Sequence, residues 1–517
     1  MSRLPKFAGA VLAAVALHAE PHAQVPAAAA STAADRCAAL SMLRLPDVRI
    51  TDARYTPANA AATGPVHAAH CRATGVVGTE IGFSVWLPDD WNGRFLMVGG
   101  GGFVGSIPGP GTGVDRGFAV TSTDTGHRAD GINARWAQQN LERQLNFGYL
   151  GVHRTAVTAK DIVRQYYGSD AHHAYHVGCS SGGRQGLMEA QRFPQDFDGI
   201  VSGAPVFDWT RALAAGLKNA QAAFPDQASI AKPIITTDSL RLLHTSVLKA
   251  CDAQDGVADG VIDDPAACNF DLANIPACAG DAPGADCLTR AQRAVIQRVY
   301  APLTDDKGVV YEGQPVGAEA WPGGWQTWIT GPNERALATT GQPSLLWAFG
   351  TEFFKYFVFA DPSWDYTRYD VAKSWRRDTQ ALTTFLNAEN PDLTAFRARH
   401  GKLLLWHGWA DPALNPLATI RYYKDVVARD PQATEDVRLF LLPGVLHCGG
   451  GPGPGQFDQF TPIVDWVEKG MAPSTLVVRK AAAAEQPARS RPVCAYPAKA
   501  VYKGAGSTDE AANFTCK

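Results

Sequence analysis

Between residues 82 and 201 the apolar positions fall into short runs whose spacing alternates between two periods. Residues 82–87 and 94–98 are β-rich runs, and the second opens into the glycines 99–102, as strand-to-loop junctions do. Residues 118–120 lead into a polar loop around Asp124 and His127. Over 155–167, Ala156, Ala159, Ile162, Val163 and Tyr166 recur at helical spacing, and Gly168 stands where the helix should stop. A strand over 174–177, a helix over 182–193 and a strand over 199–201 follow. This alternation predicts an α/β fold with a parallel sheet.

From about residue 206 to 390 the rhythm lapses. That stretch holds four cysteines, a loop rich in Asp and Gly, and many aromatic residues, among them Trp321, Trp325, Trp328, Trp347 and Phe349. Strand-like runs return at 402–406 and 438–442, so the outer portions are expected to complete one sheet. The predicted organisation is a core in two parts, 24–205 and 391–517, with residues 206–390 inserted as a separate unit. At the start, Arg3 and Lys6 precede an apolar run over 7–17 and small residues around His22 and Ala23, which reads as an export signal over 1–23. No later run is long enough to predict a membrane span.

Length and charge narrow the classes. The chain has 517 residues, 47 basic and 50 acidic, for a formal charge of −3, and 46% of its residues are hydrophobic. That balance argues against a disordered tail, a collagen-like fibre or a polybasic nucleic-acid binder. Ten cysteines behind an export signal suggest disulfides and a periplasmic or secreted protein. None of the usual zinc spacings occurs among them.

The sequence Gly178-Cys179-Ser180-Ser181-Gly182 matches G-x-S-x-G, with a predicted strand before it and a helix after it. A sharp turn there would expose the Ser180 hydroxyl as a nucleophile; the plain alternative is a βα turn with a capping serine. A serine nucleophile needs a base, and the base needs a partner that fixes its tautomer. Asp411 and His447 each follow a predicted strand, and Ser, Asp, His is the order that α/β-hydrolases use. His407, close to Asp411, competes as base but reads as a packing residue. The glycine run, at Gly101 or Gly102, and the amide of Ser181 could donate to an oxyanion. Cys179 and Cys448 adjoin the candidate nucleophile and base, and a disulfide between them would staple the two segments together. Closely spaced aspartates and glycines over 251–263 suit a hard cation such as calcium, although the spacing departs from an EF-hand; a solvated acidic turn is the alternative.

The run 178–186, Arg192-Phe193-Pro194, residues 197–200, Asp411 and His447-Cys448 together resemble the tannase and feruloyl esterase family. The resemblance implies an α/β-hydrolase core with an inserted lid domain, and Ser180, Asp411 and His447 as the catalytic triad. It also implies calcium held by Asp252, Asp255 and Asp259 with the carbonyls of Val257 and Val261. Further implied are the disulfides Cys37–Cys71, Cys179–Cys448, Cys251–Cys268, Cys278–Cys287 and Cys494–Cys516. The expected activity is hydrolysis of a small-molecule ester of an aromatic acid of feruloyl, galloyl or terephthalate type. Trp325, Arg335, Trp347 and Phe349 are the candidate substrate contacts; no nucleic-acid or membrane partner is expected. Two rival readings are a secreted serine peptidase or amidase, and a calcium-stabilised binding protein without turnover.

Overall fold

The computed structural model describes residues 32–61, 64, 66–332, 337, 338, 341–482 and 487–517. The predicted export signal and Arg335 therefore lie outside the described residues.

Nine strands build the central sheet: β1 (Val48–Thr56), β2 (His70–Val77), β3 (Ile81–Pro88), β4 (Arg94–Val98), β5 (Ala119–Thr123), β6 (His173–Cys179), β7 (Gly199–Gly203), β8 (Lys402–Gly408) and β9 (Val437–Leu442). Their order across the sheet is β1-β2-β3-β5-β4-β6-β7-β8-β9. Pairing is antiparallel from β1 through to β5 and parallel from β5 onward. The mixed sheet, covered by helices, is an α/β-hydrolase fold, as the family resemblance implies; the α/β alternation predicted its parallel part but not the antiparallel pairings of β1, β2, β3 and β5.

The parallel strands read as continuous apolar runs because both their faces are covered. In β8, Leu403 to Gly408 are all buried. The helix Gly151–Tyr167 buries Ala156, Ala159, Ile162, Val163 and Tyr166, and Gly168 ends it in the left-handed conformation at φ 77°. Strands β1 and β2 have no counterpart in the apolar pattern. Only Val48, Ile50, Ala53 and Tyr55 of β1 are half-buried and the rest is exposed, and a bulge between Ile50 and Asp52 interrupts its alternation.

Pairing of β7 with β8 joins segments separated by some 200 residues, so the two outer portions do share one sheet. The intervening segment packs partly against the same core. Leu213, Leu217, Trp347 and Phe353 lie in one apolar cluster with Phe95, Leu187 and Leu403, while Leu243, Ile296 and Trp325 form a second cluster. Cys37–Cys71, Cys179–Cys448, Cys251–Cys268, Cys278–Cys287 and Cys494–Cys516 are all bridged. Among the described residues no helix is long and apolar enough to cross a membrane.

Candidate active site

Ser180 sits between β6 and the helix Ser181–Arg192 with φ 62° and ψ −121°. A non-glycine residue in that region carries about 1–3 kcal/mol of strain, which the surrounding structure must hold in place. Here the Ser180 amide donates to the Gly203 carbonyl at 2.9 Å, and its own carbonyl accepts from Arg184 at 3.0 Å and Val206 at 3.3 Å. The tight turn also demands small neighbours: a Cβ on Gly178 would lie 2.5 Å from the Gly182 carbonyl carbon.

The same crowding brings the glycine run to the serine. A Cβ on Gly99 would lie 2.7 Å from the Cα of Gly182, so the two backbones touch. In the run, the amides of Gly99, Gly100, Phe103 and Val104 are spent on Val177, Gln185, Gly131 and Gly101. Among the described residues the Gly101 and Gly102 amides have no acceptor. The bond from Val104 to the Gly101 carbonyl, at 2.9 Å, fixes the peptide that carries the Gly102 N–H, and the Ser181 hydroxyl donates to the Gly102 carbonyl. Gly102 lines a cavity with Ser180, Ser181 and His447, whereas Gly101 does not. Geometry therefore favours Gly102, with Ser181, as the pair of donors that could meet a developing oxyanion.

His447 Nδ1 donates to Asp411 Oδ2 at 2.8 Å, with the carboxylate fully buried. Asp411 Oδ1 accepts from the amides of Ala413 at 2.8 Å and Leu414 at 3.0 Å. Burial by itself would raise the Asp411 pKa. The His447 charge and the hydrogen bonds from His407 and His447 outweigh it and hold the carboxyl well below its usual range. Asp411 is thus a permanent anion that leaves His447 Nε2 as the free nitrogen. Cys179–Cys448, with Cα atoms 6.0 Å apart, ties the residue before Ser180 to the residue after His447.

Apart from Ser180, Ser181 and His447, the cavity wall is backbone and apolar side chains, including Trp209, Leu213, Trp328, Leu346 and Phe349. The Trp328 ring stands edge-on to His447 at 4.8 Å and lies near-parallel to Phe349 at 6.3 Å. Two expected contacts need correction. Trp325 is fully buried against Tyr300, and Trp347 packs between Phe224 and Tyr366; neither lines the cavity. Both sit where apolar packing takes the whole ring, which the composition of the segment does not distinguish from a ligand wall. Trp209 and Leu213 lie in a buried helix and went unrecognised for the same reason. A larger cavity, about 540 Å³, lies between the acidic loop and residues 492–501. It contains none of Ser180, Asp411 and His447, whereas Ser180 and His447 both line the smaller one.

In the acidic loop, clamped by Cys251–Cys268, Asp252 accepts from the amides of Asp259 and Gly260, and Asp255 accepts from Val257 at 2.9 Å. Asp259 pairs with Arg489 and Arg491. Burial and the neighbouring Asp255 and Asp259 push Asp263 up to about 8. Desolvated carboxylates are the ligand type that a hard divalent cation takes, but Asp252 accepts backbone amides and Asp259 pairs with arginines, and among the described residues Asp252, Asp255 and Asp259 do not close into one cluster of ligand oxygens. With the Val257 and Val261 carbonyls they are the residues that would have to draw together to hold calcium.

The family model described as tannase and feruloyl esterase matches residues 66–517. An uncharacterized esterase of Xanthomonas campestris is 36% identical over 542 residues, covering 94% of this chain and 92% of its own. Mono(2-hydroxyethyl) terephthalate hydrolase of Piscinibacter sakaiensis is 34% identical, covering 86% of this chain and 84% of its own. The crystal structure of feruloyl esterase B from Aspergillus oryzae superposes with a TM-score of 0.82 at 26% identity, over 94% of this chain and 100% of that one.

Proposed function

The chain belongs to the tannase and feruloyl esterase family and is a carboxylic ester hydrolase, and from that premise we propose that it cleaves esters of aromatic acids through an acyl-enzyme on Ser180. The observation that carries this reading is the buried Asp411–His447 bond at 2.8 Å, with His447 facing the same cavity as a strained Ser180. Ser180 Oγ attacks the ester carbonyl while His447 Nε2 takes its proton. The carbonyl electrons move onto oxygen, where the Gly102 and Ser181 amides stabilise them. Collapse expels the alcohol, which receives the proton from His447. Water, deprotonated by the same nitrogen, attacks the acyl-enzyme; collapse breaks the bond to Ser180 Oγ, which takes the proton back from His447 as the acid leaves.

Trp328 and Phe349 favour a flat aromatic acyl group, since near-parallel rings beside the base offer faces for stacking. The five disulfides support export to an oxidising compartment. Calcium on the acidic loop would act structurally, neutralising carboxylates far along the chain from the nucleophile. Parallel assays with methyl ferulate, methyl gallate and mono(2-hydroxyethyl) terephthalate test the substrate class. Labelling with a fluorophosphonate followed by peptide mapping tests the nucleophile. Hydrolysis of acetate esters but none of the three aromatic esters would overturn the former, and label on any residue but Ser180 the latter.

A further inference from the structure

One buried side chain beside the triad has a larger part than its place in the sequence suggests. His407 is the penultimate residue of β8, and its side chain is 1% exposed. Its Nε2 lies 3.2 Å from Asp411 Oδ2 and 3.2 Å from the Leu414 carbonyl, while its Nδ1 lies 2.8 Å from Thr419 Oγ1. Both neighbours of Nε2 can only accept, so Nε2 carries a hydrogen whatever the charge of the ring. Asp411 Oδ2 is therefore shared by two imidazoles, and the carboxylate accepts four hydrogen bonds in all: two from backbone amides, one from His447 and one from His407.

Resting on the serine reading above, we propose that His407 is a positioning residue that sets the basicity of Asp411 and, through it, the pH at which His447 becomes an active base. A donor on Oδ2 draws charge away from the oxygen that faces His447 Nδ1. The weaker that oxygen's pull, the less the imidazolium form of His447 is favoured, and the lower the pH at which the neutral base is available. Thr419 belongs to the same device. Its hydroxyl occupies Nδ1 and keeps the ring oriented with Nε2 toward the carboxylate. The ionisable groups acting on Asp411 are His407 and His447; Tyr311 lies within electrostatic reach of it, and Asp208 and Arg421 act on Tyr311. Tyr311 is pushed well above its usual range by burial first, with the Asp208 and Asp411 charges adding, and so stays neutral over the working pH.

The test is the pH profile of kcat/KM for 4-nitrophenyl acetate in the full chain. His407→Leu removes the donor while roughly preserving volume. The sign follows from the charge: Oδ2 becomes more basic, imidazolium is favoured, and the acid limb moves up by about 0.5–1 pH unit. His407→Gln, which restores an N–H near the Nε2 position, should bring the limb most of the way back. If His407→Leu does not fold, Thr419→Val should give a smaller shift in the same direction. An acid limb unmoved in His407→Leu, or in Thr419→Val where that variant must stand in, with only amplitude or melting temperature altered, would show His407 to be a packing residue and overturn the proposal. Ser180→Ala assayed alongside separates the two failures. Turnover persisting there would refute the serine reading itself, whereas a dead Ser180→Ala with an unmoved limb refutes only the role of His407.

Discussion

The loops leaving β8 and β9 and the segment inserted between β7 and β8 use similar residues in opposite ways. At the strand exits each polar side chain makes a defined contact. His447 bonds Asp411, His407 bonds the same oxygen, and the backbone of 413–414 closes the carboxylate. In the inserted segment aromatic rings are interchangeable by type, and only position decides. Trp328 faces His447, while Trp325, three residues earlier, is fully buried against Tyr300. Chemistry constrains residue identity at the strand exits, whereas burial constrains only size and polarity in the insertion.

The largest effect separates the two regions outright. Ser180→Ala should lower kcat/KM by about 10⁴-fold or more while leaving the melting temperature within a few degrees of the parent. Retained esterase activity would remove Ser180, and with it the base and carboxylate aimed at it from the β8 and β9 exits, from the mechanism. Asp411→Asn comes next, with an expected loss of about 10³–10⁴-fold, because the amide can present its N–H to His447 and favour the wrong tautomer. A loss of tenfold or less would mean that His447 is oriented by something other than this carboxylate.

How far each region could be read from sequence follows the same division. Ser180, Asp411 and His447 stood out because a nucleophile, an anion and a base were needed at strand exits in that chain order, and the flanking apolar runs of β6, β8 and β9 located those exits. The neighbouring cysteines marked the two segments that the Cys179–Cys448 bridge joins. Strands β1 and β2 escaped notice because β1 is half exposed and its alternation breaks at a bulge between Ile50 and Asp52, while β2 fills inward positions with His70, Cys71, Ala73 and Gly75, which carry little apolar signal. His407 was visible as a residue but not as a contact, since its role depends on the chain after β8 turning so that His407 and His447 share one carboxylate oxygen of Asp411. The cavity wall was the least legible part. Trp209, Leu213 and Leu346 come from helices whose apolar faces serve both packing and the cavity.

A paired substitution sharpens the contrast inside the insertion. Trp328→Ala should cut kcat/KM on aromatic esters by about tenfold, roughly one stacking contact, with a smaller loss on acetate esters and little change in stability. Trp325→Ala should instead cost about 3–5 kcal/mol of folding stability, the penalty of emptying a fully buried site, and leave turnover per folded molecule unchanged. Thermal melting and active-site titration distinguish the two. Equal behaviour of the variants would mean that the division between cavity wall and packed core is drawn in the wrong place.

The smallest effect concerns the acidic loop, which lies in the inserted segment yet behaves like the strand exits in demanding particular residue types. Asp252, Asp255, Asp259 and Asp263 cannot all be charged in a half-buried loop at low cost, and of these four only Asp259 is ion-paired among the described residues, with Arg489 and Arg491. Burial and mutual repulsion accordingly raise Asp255 and Asp263. A bound calcium ion would stabilise the folded chain by mass action, about 2.7 kcal/mol at a hundredfold excess over its Kd. In a chain of this length that amounts to a few degrees of melting temperature. Chelator should lower the melting temperature by that amount, added calcium should restore it, and Asp255→Asn should make the enzyme insensitive to both. Turnover per folded molecule at 25 °C should not change, because the ion would brace the insertion and take no part in acyl transfer. A melting temperature indifferent to chelator would leave the loop as a solvated acidic turn, with Arg489 and Arg491 as its only counter-charges among the described residues.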